Sequence, residues 1–139
     1  MKLKVLLLLL AAATLTSFTY SQAKEFDIVG TWQATNNDQK FILTFDKEGY
    51  ATLQKGGEII GGKEFTLYGE KGSMTYKLNY AKDPDEIDIT IRQNSTGREK
   101  VIKGIFKVIS LDEMLLAMDF DNRPANFDSA EVRLFKKVK

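Results

Sequence analysis

The chain has 139 residues, of which 20 are basic and 19 acidic, so its formal net charge is +1. Balanced charge gives no indication of nucleic-acid binding. The sequence contains neither histidine nor cysteine, which excludes Ser–His and Cys–His catalysis, disulfide bonds and the commonest transition-metal ligands. Catalysis by carboxylates alone has no positive support, so we expect a protein that is not an enzyme and that holds no cofactor and no metal.

The first residues have the three-part pattern of a secretory signal peptide. Two lysines lie within the first four residues, residues 5–13 are all apolar, and small or hydroxyl residues follow. A membrane-spanning helix needs about 20 apolar residues, so this run is too short to serve as an anchor. We expect a signal peptide over residues 1–21, cleaved after Ser21 or after Ala23. The mature chain, residues 22–139, is then one exported domain, periplasmic or extracellular, without a membrane anchor.

After the leader, apolar side chains recur at every second position in short segments, which is typical of strands with one buried face. Residues 46–49 supply a first turn, and Pro84 marks a second because proline cannot donate to a strand ladder. No segment has a helical period. The strands predicted in chain order are 30–35, 41–45, 50–55, a weaker one at 65–68, 74–80, 87–92, 101–109, 114–120 and 132–137.

The segment 101–109 is apolar at both parities, so alternation alone does not orient it. Lys103 and Lys107 share one parity and are expected to face outward. The opposite face carries no charge and is expected to point inward, and Gly104 within it suggests a bulge or sharp bend. The inward side chains predicted here are Ile102, Gly104, Phe106 and Val108, and in the next strand Met114, Leu116, Met118 and Phe120.

Short strands joined in hairpin order predict an all-β, single antiparallel up-and-down barrel of about eight strands. Its inward faces could line an apolar ligand cavity, or they could simply fill the interior. In the second case the loops near Tyr50, Phe65 and Tyr68 become the candidate binding surface for a protein or surface glycan. The candidate lining residues are Phe41, Phe45, Met74, Tyr76, Tyr80, Phe106 and Met118.

Two motifs resemble those of a known family. Gly30-Thr31-Trp32 resembles the first-strand G-x-W motif of lipocalins. Gly104-Ile105-Phe106, followed by Arg123-Pro124-x-x-Phe127, is similar to a distal segment of the uncharacterised lipocalin-like domains of exported bacterial proteins. The resemblance covers about residues 27–138.

The resemblance implies a closed lipocalin-like (calycin) barrel with Trp32 plugging one end behind Gly30. It also implies that a basic residue of the last strand, here Arg133, lies over the indole ring. The function it implies is binding of a small apolar ligand in the barrel or at its mouth. The alternative remains a non-enzymatic interaction module with a filled barrel.

Overall fold

The computed structural model describes residues 25–128 and 131–139, and all regular structure in these ranges is β-strand. The predicted signal peptide and both of its cleavage positions lie outside these residues. Within them, no helix is long and apolar enough to cross a membrane. The ten strands are β1 (Gly30–Asn36), β2 (Gln39–Phe45), β3 (Ala51–Lys55), β4 (Glu58–Gly61), β5 (Phe65–Leu67), β6 (Glu70–Asn79), β7 (Asp85–Gln93), β8 (Glu99–Ser110), β9 (Glu113–Asp119) and β10 (Arg133–Lys137).

The strands form one antiparallel sheet in the order β4-β3-β2-β1-β10-β9-β8-β7-β6-β5. Nearly every sequential pair is a hairpin neighbour, and the first strand pairs with the last, with Trp32 opposite Lys137. The predicted all-β, up-and-down antiparallel architecture is confirmed. The strand count is ten because the glycine-rich stretch 56–62 contains a short strand, β4, that its weak alternation does not reveal.

The two ends of the sheet approach each other, so the sheet nearly closes into a barrel. The amide of Gly62 donates to the Ala51 carbonyl at 2.7 Å, and the Met74 amide donates to the Gly62 carbonyl at 2.9 Å. Gly61 lies in the same contact with a φ of 112°, and a Cβ there would fall 2.6 Å from Met74 Cε. A glycine is therefore required where β4 passes over β6.

The core is the barrel interior, formed by one parity of each long strand. Its centre is almost wholly apolar, as expected from the alternating sequence. The buried members of this cluster are Ile28, Trp32, Ala34, Leu43, Phe45, Ala51, Met74, Ile87, Ile89, Ile102, Phe106, Met114, Leu116 and Phe135.

The predicted orientation of β8 is confirmed, since Ile102, Gly104 and Phe106 are buried while Lys103 and Lys107 are exposed. The bulge expected at Gly104 is absent, however: pairing with β9 continues through Gly104, and the irregularity lies between Val108 and Ser110. The glycine serves close packing instead. A Cβ at Gly104 would lie 2.8 Å from Met118 Cγ and 2.9 Å from Ile87 Cγ2.

The connection from β9 to β10 is fixed to the outer face of the barrel by Arg123. Its guanidinium donates to Asp88 Oδ1 at 2.7 Å and to the Gly104 carbonyl at 2.9 Å. Its Nε lies 3.5 Å from Glu86 Oε1. Ile105, which pairs with Glu86 on this outward parity, is only 1% exposed.

Candidate functional site

One end of the barrel is closed by Trp32, which is fully buried. Its indole Nε1 donates to the Ile28 carbonyl at 2.7 Å, so the one polar atom of the ring is satisfied. The Phe26 ring packs at 5.6 Å between centroids. Trp32 is therefore a buried ring, packed against Phe26 and with its one polar atom paired.

The cation over the indole is Lys137 and not Arg133, which corrects the expectation from the resemblance. Lys137 lies opposite Trp32 in the β1–β10 ladder. Its Nζ is 5.3 Å from the centre of the indole ring and donates to the Asp27 carbonyl at 2.9 Å. Arg133 is four residues earlier on the same strand and therefore lies toward the other end of the barrel.

Three predicted lining residues, Phe45, Met74 and Tyr76, fill the interior on the Trp32 side. Phe45 and Met74 are buried, and the Phe45 and Tyr76 rings meet edge to face at 4.8 Å. The Tyr76 hydroxyl donates to the Asp46 carbonyl at 2.8 Å. Burial, reinforced by the nearby carboxylates of Asp46 and Asp27, raises the pKa of Tyr76. This hydroxyl binds the β2–β3 turn and does not point into a cavity.

Tyr80 does not line the interior, contrary to the prediction. The strand ends at Asn79, whose side-chain oxygen accepts the Ala81 amide and starts a turn. Tyr80 is consequently 57% exposed, and its ring covers the edge of buried Phe106 at 5.6 Å. Burial of part of its ring and the charge of Asp85 raise the pKa of Tyr80.

At the other end, the interior opens into a cavity of about 310 Å³, which we call the cup. Its walls come from the inward parities of β2, β3, β8, β9 and β10, and most of them are apolar. Two of the predicted lining residues, Phe41 and Met118, are present. The full lining is Phe41, Leu43, Leu53, Lys55, Ile102, Leu116, Met118, Phe120, Glu131, Arg133 and Phe135.

Phe120 lies at the mouth of the cup and not inside the barrel as predicted, since β9 ends one residue earlier and the side chain is 60% exposed. The Nζ of Lys100 lies 5.6 Å from the centre of its ring. Phe120 is thus an exposed apolar surface beside the opening.

The mouth of the cup also carries two cations. The guanidinium carbon of Arg133 lies 4.3 Å from the centre of the Phe41 ring, and Lys55 Nζ lies 5.3 Å from the same centre. The nearest carboxylate, Glu131, is 3.6 Å from Arg133 Nη1. The quadrupole of the ring attracts both cations. The opening therefore carries two positive charges next to the apolar walls of the cup.

Sequence reasoning missed Arg133 as a cavity residue, although a signal was present. Arg133, Phe135 and Lys137 share one parity of β10, and Phe135 is buried. A strand with one aromatic core residue places its neighbours two positions away on the same face. That parity rule would have placed Arg133 on the inward face together with Phe135.

Three depressions on the outer surface are larger than the cup. One, of about 710 Å³, follows the outer face of β1 and β10, and one, of about 680 Å³, follows the tips of the β1–β2 and β3–β4 hairpins. The walls of these two are mainly exposed polar side chains such as Thr35, Lys136 and Gln39. The third, of about 440 Å³, has charged side chains at three of its seven lining positions, Asp83, Asp85 and Lys107. The cup has the most apolar lining of these four, so it is the candidate site.

No family model matches the chain, and no curated protein or solved structure is significantly similar to it. The geometry of the cup is therefore the basis on which a function can be inferred.

Proposed function

We propose that the protein is an exported lipocalin-like protein that binds a small apolar ligand in the cup. The observation that supports this most directly is the cavity of about 310 Å³ with apolar walls at one end of the barrel. This volume is at the lower end of the range of about 300–1,000 Å³ typical of small-molecule sites. The opposite end is sealed by Trp32, so a ligand would enter and leave through the mouth near Phe120.

A neutral fluorescent probe tests this proposal. N-phenylnaphthylamine gains fluorescence on entering an apolar site, and we expect saturable binding with one probe per chain. Leu53→Trp enlarges a side chain in the cup wall and should abolish binding by filling the space. The matched control is Leu134→Trp, on the outer face of β10, where leucine is already 41% exposed. Absence of saturable binding to a folded wild type would reject the proposal.

Export is the second component of the proposal, and it is supported by the pattern of residues 1–21. Intact-mass measurement of protein recovered from the native host should give a chain that begins at Gln22 or Lys24. Recovery of the full-length chain in the membrane fraction would contradict export by a cleaved leader.

A second candidate function, binding of a protein or surface glycan through a loop, is favoured by Tyr68. This residue occupies the β5–β6 turn with a φ of 51° and is 96% exposed. Asparagine or glycine suits such a backbone better than tyrosine, so the aromatic ring is unexplained by the turn itself. Glycan-array binding by the wild type that is lost in Tyr68→Asn would support this function. Binding that is unchanged in the variant would exclude Tyr68 as its site.

A further inference from the structure

The charge at the mouth of the cup indicates what kind of apolar ligand it would take. Arg133 projects from β10 on the inward parity, between the apolar walls formed by Leu116, its partner across β9, and Phe41. Its side chain is 26% exposed. Its Nε is buried and has no hydrogen-bond partner within residues 25–128 and 131–139.

A buried donor without an acceptor is unfavourable, and for a charged group the loss is larger than for a neutral one. The ring of Phe41 stabilises the positive charge but accepts no hydrogen bond from Nε. Glu131 does not supply it either, since its contact is with Nη1 at 3.6 Å and its side chain is 62% exposed. Arg133 therefore has an unpaired hydrogen-bond donor, Nε, buried in the wall of the cup, and its side chain has to turn to offer that donor to a ligand.

The cup carries more positive than negative charge. Lys55 and Arg133 both line it, while Glu131 is its one acidic lining residue. The guanidinium fork matches a carboxylate, whose two oxygens can accept from Nε and a terminal nitrogen together. A ligand carboxylate would thus supply the missing acceptor.

We propose that the ligand of the cup is an amphipathic anion, with an apolar chain or ring and one carboxylate. The carboxylate accepts from Arg133 at the mouth, with Lys55 as a second cation beside it. The apolar part contacts Leu43, Leu116 and Phe135 deeper in the cup. This inference rests on the proposed function, because it requires that the cup binds a small molecule.

The test compares ligands of equal length and different charge. Decanoate, decanol and decylamine are titrated against the protein loaded with N-phenylnaphthylamine at neutral pH, and displacement of the probe is measured. We expect decanoate to bind roughly tenfold or more tightly than decanol, the effect of one charge-assisted hydrogen bond. Decylamine should bind more weakly than decanol.

Two variants assign the preference to the proposed contact. Arg133→Gln should reduce the ratio of decanoate to decanol affinity to about one, whereas Arg92→Gln, in an exposed ion pair with Glu99 on the outer surface, should leave it unchanged. Glu131→Gln removes the competing carboxylate and should increase the ratio. Because Glu131 is largely exposed, this variant keeps the test available if Arg133→Gln fails to fold.

The outcomes separate the two proposals. If neither the probe nor any of the three compounds binds, both the proposed function and this inference fail. If decanol and decanoate bind equally, apolar binding stands and the anionic preference is overturned. If decanoate is preferred but the preference persists in Arg133→Gln, the assignment to Arg133 is wrong.

Discussion

The side chain of Lys137 occupies the space beside Gly30 that a side chain at position 30 would need. A Cβ on Gly30 would lie 2.7 Å from Lys137 Cε, and the φ of Gly30 is 136°. The lysine crosses this gap to reach the indole of Trp32 and the Asp27 carbonyl. The glycine of the G-x-W motif therefore makes room for the cation that covers the tryptophan.

Gly30→Ala should destabilise the protein by about 1–3 kcal/mol, because it adds backbone strain and displaces the lysine. Urea unfolding monitored by circular dichroism measures the change. Gly57→Ala is the control, since its Cβ would meet nothing within 4 Å. Equal stability of the two variants would contradict the packing role of Gly30.

Arg123 and Asp88 form the second relationship to test, since their hydrogen bond of 2.7 Å attaches the β9–β10 connection to β7. In a double-mutant cycle with Arg123→Met and Asp88→Asn, we expect a coupling of about 1–3 kcal/mol. The exposed pair Arg92–Glu99, with a contact of 3.3 Å, should give less than about 1 kcal/mol in the same measurement. Equal coupling in both pairs would show that the Arg123–Asp88 contact contributes no more than an exposed surface ion pair.

Tyr76 should make stability depend on alkaline pH. Its pKa is raised above the ordinary value of 10.0 by burial and by nearby carboxylates, so the folded state retains the phenolic proton better than the unfolded state. The stability contributed by the neutral phenol is fully present below pH 10.0 and is lost as pH rises through the folded pKa. Above that pH, the free energy of unfolding should therefore fall less in Tyr76→Phe than in the wild type.

Unfolding free energies of the wild type and Tyr76→Phe, measured by urea titration across the alkaline range, test this. Lysines titrate in the same range, so the difference between the two proteins is the relevant quantity. A constant difference at all pH values would contradict the assignment to Tyr76.

The architecture was predictable because alternation is strong in most long strands and hairpin order leaves few topologies. The prediction from alternation failed locally, at positions where contacts other than apolar burial decide which way a side chain points. Leu134 on β10 and Val138 just after it are apolar but exposed, while Arg133 and Lys137 share the inward parity with Phe135. Long cationic side chains can lie along apolar walls at the two ends of a barrel while their charged groups reach rings or solvent.

The candidate site was only partly predictable for a related reason. Alternation identifies which residues face inward, but not which end of the barrel is filled. Tyr76 and Phe45 fill the Trp32 end, whereas Phe41 and Met118 border a space. That difference depends on how ten strands tilt and pack together, which no single segment of sequence contains.

The measurement that tests the central claim most directly is methyl NMR of the protein titrated with N-phenylnaphthylamine. If the ligand binds in the cup, the methyl resonances of Leu43, Leu53 and Leu116 shift, while those of Ile105 and Leu134, on the outward parity, do not. Saturation of these shifts at one probe per chain is the predicted result. Shifts confined to outward-facing methyls, or no shifts while the protein is folded, would contradict ligand binding in the barrel.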